Sequence, residues 1–201
     1  MWDLYRRLPG VVLGFHGCDE SLGRKVIAGR AQLKPSENDY DWLGRGIYFW
    51  ESNPERALQF AKEVATGTTK MSRGTIGRPF VIGAVIDLGM CCNLLDSRAL
   101  SELAAAHELL VESIKTGSSD NKMPKNRGRD NAARFLDCAV VKIMHAARRA
   151  ADLEAYDTVR GAFSEGGSLF RGSGFSAKAH IQIAVCKDQC IKGYFLPRKS
   201  K

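Results

Sequence analysis

The chain has no apolar run long enough to cross a bilayer: its longest, Phe80 to Leu95, is broken by Asp87, Gly83 and Gly89. Behind Met1-Trp2-Asp3-Leu4-Tyr5-Arg6-Arg7 there is no apolar core of signal-peptide length. No partnership with a membrane is therefore expected, and a cytoplasmic location is. No period of 20 to 50 residues repeats, which excludes solenoids and propellers. The six cysteines (18, 91, 92, 138, 186 and 190) form no pair of CxxC motifs. The expectation is reduced, mostly buried thiols and no metal.

What remains is an ordinary globular composition, with 44% hydrophobic and 26% charged residues in 201. That length buries a sizeable core without staples, and one domain spanning 1–201 is expected. The charge is less ordinary: 30 Lys and Arg stand against 22 Asp and Glu, a net +8. Such a balance favours a polyanionic partner without naming it.

Local patterns supply the elements. Val11 to Phe15 and Gly46 to Trp50 read as strands, Pro79 to Leu88 as a strongly apolar one. Asn53-Pro54-Glu55 opens a helix running to about Val64, with Pro at its first position and acid in its first turn. Ser21 to Ile27, Ser97 to Lys115 and Asp130 to Ala150 have helical spacing, with Ser97 as an N-cap. Ala179 to Val185 and Ile191 to Leu196 are late strands, and the Gly- and Ser-rich stretch before them reads as loop. Strands at both ends with helices between them indicate an α+β fold, with a basic helical insertion around 97–150.

Three features suit a small ligand. Phe15-His16-Gly17 closes a strand where glycine admits close approach to the backbone. Gly44-Arg45-Gly46-Ile47-Tyr48-Phe49 leads two glycines into an aromatic strand. His180 and Gln182, two apart, share one face of a late strand. Taken singly, each also fits an ordinary core residue.

Together, Val12-Leu13-Gly14-Phe15-His16-Gly17-Cys18, Leu33-Lys34-Pro35 and Trp42 to Phe49 resemble the NAD-binding core of diphtheria-toxin-like ADP-ribosyltransferases. The poly(ADP-ribose) polymerase catalytic domain is the nearest form. Order and spacing agree over about 80 residues, through Phe80 to Gly89. The resemblance implies split antiparallel β-sheets with peripheral helices, and NAD as the ADP-ribose donor. It also implies that the Gly17 backbone holds the nicotinamide carboxamide and His16 the adenosine ribose. Tyr48 would stack on the nicotinamide ring and Phe60 would supply the second aromatic. Arg45 and His180 are further expected at the cofactor. The family's amide-binding serine has no counterpart, because Arg56-Ala57 fall there.

The family's third catalytic position, usually Glu, here falls to Gln182 or His180, with Gln182 preferred. An amide can bond ribose hydroxyls and steady an oxocarbenium-like transition state, but it is no general base. Mono-ADP-ribosylation is therefore expected, not chain elongation. Proton removal from the acceptor would fall to Glu165 on the Gly-rich loop, to His180, or to no strong base at all.

Nine cations and three acids lie between Lys115 and Arg149, which is +6 of the net charge. Lys122, Lys125, Arg127 and Arg129 can track a phosphate backbone or be a solvated surface. Small members without the Glu resemble toxins of toxin–antitoxin or anti-phage systems, some of which modify nucleobases of RNA. The expectation is an RNA acceptor before DNA, with an antitoxin protein as possible partner. A protein-directed transferase and an inactive NAD- or ADP-ribose-binding module are the alternatives.

Overall fold

A computed structural model describes residues 10–69, 74–117, 122–128 and 133–198. Its strands are β1 (Val11–Asp19), β2 (Ile47–Glu51), β3 (Pro79–Asp87), β4 (Cys91–Asn93), β5 (Thr158–Phe163), β6 (His180–Val185) and β7 (Ile191–Phe195). The helices are α1 (Glu20–Ile27), α2 (Pro54–Ala65), α3 (Ser97–Thr116) and α4 (Phe135–Ala150). The strands form one sheet in the order β4-β5-β6-β2-β1-β3-β7. Its pairs are antiparallel except β4 with β5, which is parallel, so the sheet is mixed.

The α+β expectation is met at that level, while the expected pair of separate sheets is joined into one. The joint is slight. β1 and β3 pair over nine residues, but β1 and β2 meet only at Gly14–Glu51 and Phe15–Trp50. Beyond those two pairs the strands part.

α1 packs on one face of the sheet, where Val26, Leu33, Phe49, Ile82, Ile86 and Ile183 are buried together. The other face carries two clusters. Phe15, Trp50 and Ala57 close under α2, while Leu43, Val141, Met144, Val159 and Ala184 close under α3 and α4. Burying such side chains is the main favourable term in folding, at roughly 25 cal/mol per Å².

The helix starts follow capping chemistry, with one shift. Asn53 accepts the Arg56 N–H at 2.9 Å and Asp19 caps α1. At α3 it is Asp96, not Ser97, whose carboxylate accepts the Arg98 N–H at 2.9 Å. Ser97 is the first helical residue. α4 begins at Phe135, five residues later than its spacing suggests, after Arg127 and Ala133 bridge through two backbone bonds.

Two strands escape the sequence pattern. In β5, polar Thr158 is buried because its hydroxyl donates to the Leu88 carbonyl at 2.7 Å. Arg160 is neutralised by Glu51 through bonds of 2.6 and 2.8 Å. β4 is three residues long, too short to show a period. Five of the six cysteines are buried and Cys186 is half-buried; all are free. Burial holds their thiols protonated, that of Cys92 up to about 12. Among the described residues no helix is long and apolar enough to cross a membrane.

Candidate functional site

A cavity of about 1110 Å³ opens where β1 and β2 part. It exceeds the roughly 300–1,000 Å³ common for drug-sized ligands, which leaves room for a dinucleotide. Its lining includes His16, Gly17, Tyr48, Phe60, Gln182 and Glu165, so six of the eight residues expected at catalysis or the cofactor converge on it.

The gap has a defined backbone chemistry. Ser52 N–H donates to the Leu13 carbonyl at 2.8 Å, so Leu13, Phe15 and Gly17 aim their backbone groups toward β2. The register of the two existing pairs, carried on, would set Gly17 opposite Tyr48. Pairing has ended there, and the His16 side chain takes the place of the missing rung: its Nδ1 donates to the Tyr48 carbonyl at 2.8 Å. A carbonyl only accepts, so the proton sits on Nδ1 and Nε2 is left as an acceptor. Burial pushes the His16 pKa down, against the pull of that hydrogen bond, and keeps the ring neutral.

Gly17 is glycine for a reason on its other side. A Cβ there would lie 2.2 Å from the Ala57 carbonyl oxygen of α2. The close approach of the helix brings Phe60 and Arg56 to the cavity, with Phe60 tilted against Trp50 at 5.0 Å.

Tyr48 has a committed hydroxyl and a remaining ring face. The hydroxyl donates to the Gly44 carbonyl at 2.8 Å and accepts from the Leu43 N–H at 3.1 Å. Gly44 makes this turn at φ +75°, a conformation that L side chains rarely adopt. Burial raises the phenol pKa well above its ordinary value, so the group stays protonated. The bonds tie β2 to the wall formed by Ser36, Glu37, Asn38, Asp41 and Trp42. Within that wall Asp41 accepts from the Asn38 backbone at 2.7 Å and the Asn38 amide at 3.2 Å.

α4 braces the wall from outside. Cys138 Sγ reaches the Asn38 carbonyl at 3.5 Å, Lys142 pairs with Asp39 at 2.8 Å, and the Arg134 guanidinium lies 4.2 Å from the Trp42 ring.

Gln182 stands opposite Trp50 in the β2–β6 register and is buried. His180 shares its face but does not line the cavity. Its Nδ1 donates to the Lys178 carbonyl at 2.6 Å, Trp42, Trp50 and Phe163 surround it, and burial lowers its pKa. Arg45 is also outside the lining; it is exposed and bonded to Glu37 at 2.6 Å. Both were expected at the cofactor, and neither meets the cavity.

Sequence reasoning passed over Arg56, Glu63 and Lys178. Arg56 is 9% exposed and pairs with Glu165 at 3.2 Å and Glu63 at 3.7 Å. Lys178 pairs with Glu63 at 2.7 Å. Glu165 is thereby a moored cavity carboxylate rather than a freely solvated one. The signal was available in part: Arg56 is the residue that replaces the expected serine.

The basic stretch from Lys115 to Arg149 is less free than its charge sum. Lys115, Arg134, Lys142 and Arg148 are ion-paired with Glu112, Asp137, Asp39 and Glu102. Lys122, Lys125 and Arg127 are exposed, with Arg127 over the Phe135 ring at 5.5 Å. Arg129 lies outside the described residues. Among the described residues no cluster of His, Cys, Asp or Glu is arranged to hold a metal ion. No family model, curated protein or solved structure matches the chain.

Proposed function

We propose that the chain is an NAD-dependent mono-ADP-ribosyltransferase that modifies a nucleobase, in RNA before DNA. The observation that carries this reading is the contact of His16 with the Tyr48 carbonyl, beside Gly17 backbone groups aimed into the same gap. One donor and one acceptor on a single residue suit a carboxamide. The Tyr48 and Phe60 rings suit the flat heterocycle that carries it.

NAD supplies one chemistry at such a site: the bond from ribose C1′ to nicotinamide breaks, and ADP-ribose passes to the acceptor nitrogen. The residues divide the remaining work. Gly17 orients the carboxamide, and His16 Nε2 accepts from an adenosine ribose hydroxyl. Gln182 bonds the nicotinamide ribose. Glu165, held by Arg56, takes the proton that the acceptor nitrogen loses; His180, walled off by aromatic rings, does not. With Gln182 in place of a carboxylate, transfer stops at one unit.

The acceptor side rests on position. The exposed cations Lys122, Lys125 and Arg127 lead into Arg134, which lies on the cavity-lining Trp42. A toxin or anti-phage role, with an antitoxin as partner, accords with a small transferase of this kind.

The test is incubation of the purified chain with labelled NAD and cell extract, with nicotinamide release measured alongside. Label removed by nuclease and retained after protease supports the reading. Label removed only by protease makes the acceptor a protein. Absence of nicotinamide release leaves a binding module.

A further inference from the structure

The Gly-rich segment before β6 is not a slack loop. Lys178 N–H donates to the Glu165 carbonyl at 2.9 Å, Ala177 to Gly167 at 3.0 Å and Leu169 to Phe175 at 2.8 Å. Ser168 and Ser176 form a bridge, and the Ser164 and Ser176 hydroxyls bond to one another. These rungs make a hairpin finger with its tip at 170–174. Its base is pinned at both sides to α2, through Arg56 with Glu165 and Glu63 with Lys178.

The outside of the finger is apolar and aromatic. Phe175 at 73% and Phe170 at 62% are the most exposed large apolar residues among those described, and Leu169 beside them is 58% exposed. Exposing two phenylalanines on an ordered hairpin costs solvation with no return inside the chain, which marks a contact surface. Arg171 stands exposed between them, and the sole acid of the finger, Glu165, is turned to its base by Arg56. The tip is therefore cationic and aromatic, and the base of the finger lines the cavity.

We infer that this finger grips the acceptor as a single strand, with Phe170 and Phe175 stacking on unpaired bases and Arg171 meeting a phosphate. The inference rests on the transferase reading for what happens to the strand, not for the grip itself. Flat rings with a guanidinium between them fit the two repeating units of a nucleic-acid strand, base and phosphate. Bases within a duplex are stacked on each other and offer no face. The occupant is thus single-stranded. Phe163 at the start of the finger also lies 5.7 Å under Arg134, so the finger and the end of the basic segment share one rim.

The test is fluorescence anisotropy of the full chain with 12-nucleotide single-stranded oligoadenylate and oligouridylate RNA. Phe170→Leu with Phe175→Leu keeps an exposed apolar tip and removes the rings. The expected result is affinity lower by about tenfold or more for each ring lost. Phe170→Trp with Phe175→Trp should retain it, and Arg171→Gln should flatten the log–log salt slope by about 0.7. All three forms should melt with the unaltered chain, since the side chains are exposed.

Equal affinity in the leucine form, or equal affinity for duplex RNA, overturns the inference. So does failure of the unaltered chain to bind either oligonucleotide. Nicotinamide release by the unaltered chain is read separately. Its absence strikes the transferase reading, while a leucine-sensitive RNA affinity leaves the finger's grip standing.

Discussion

His16 Nδ1 and the Tyr48 carbonyl, 2.8 Å apart, hold β1 and β2 at the point where their backbone pairing has stopped. A side chain replaces a ladder rung, and the backbone of Gly17 is left facing the opening. The same bond fixes the His16 tautomer, so one contact sets both the width of the gap and the polarity of its edge.

Separating the ring of Tyr48 from its hydroxyl tests what each does. Tyr48→Phe keeps the ring and frees the Leu43 N–H and Gly44 carbonyl, for a stability loss of about 1–3 kcal/mol in urea unfolding. Nicotinamide release should persist in Tyr48→Phe and vanish in Tyr48→Ala. Equal activity in both variants would show that the ring face is idle.

Gly17→Ala adds one methyl group 2.2 Å from the Ala57 carbonyl. α2 must retreat, at a cost of about 1–3 kcal/mol. Phe60 and Arg56 retreat with it, so NAD affinity measured by calorimetry should fall together with stability. An unchanged unfolding midpoint would contradict the packing.

Removing Arg56 leaves the half-buried Glu165 carboxylate at the cavity without its partner. Arg56→Met should cost about 1–3 kcal/mol. The double variant with Glu165→Gln should cost less than the sum of the singles, with a coupling of about 0.5–3 kcal/mol. Additive costs in chemical denaturation would show that the pair carries no interaction.

Burial lowers the pKa of His16, His145 and His180 in the folded chain. Unfolded, each titrates near pH 6.5. Below that value the unfolded chain binds more protons than the folded one, so stability is lost as the pH is lowered; above it this contribution is complete. Urea midpoints should be level from pH 8 to 7 and decline below about 6.5. His145→Gln, away from the cavity, should make the decline shallower.

The sequence was most legible where short-range chemistry decides. The Asn53-Pro54-Glu55 entrance of α2 and the apolar run of β3 needed only local rules, as did the aromatic strand β2. β5 was hidden because Arg160 looks like surface until Glu51, 109 residues away, is brought beside it. The cavity followed the same division. His16, Gly17 and Tyr48 could be placed by pattern, whereas the moored charges Arg56, Glu63 and Lys178 come together only in three dimensions. Arg45 misled because its neighbours in sequence line the cavity while its own side chain turns outward to Glu37.

The bracing of the cavity wall by α4 and the residue before it joins the basic stretch to the gap. Asn38, Asp39 and Trp42 are in contact with Cys138, Lys142 and Arg134 in turn. Coupling across such a joint is reciprocal: any ligand on Arg134 that tightens binding in the cavity by a given factor through this contact is itself tightened by the same factor when the cavity is filled. On the transferase reading proposed above, such a joint would let the chain hold its donor loosely until an acceptor is bound, and so spare NAD when no target is present.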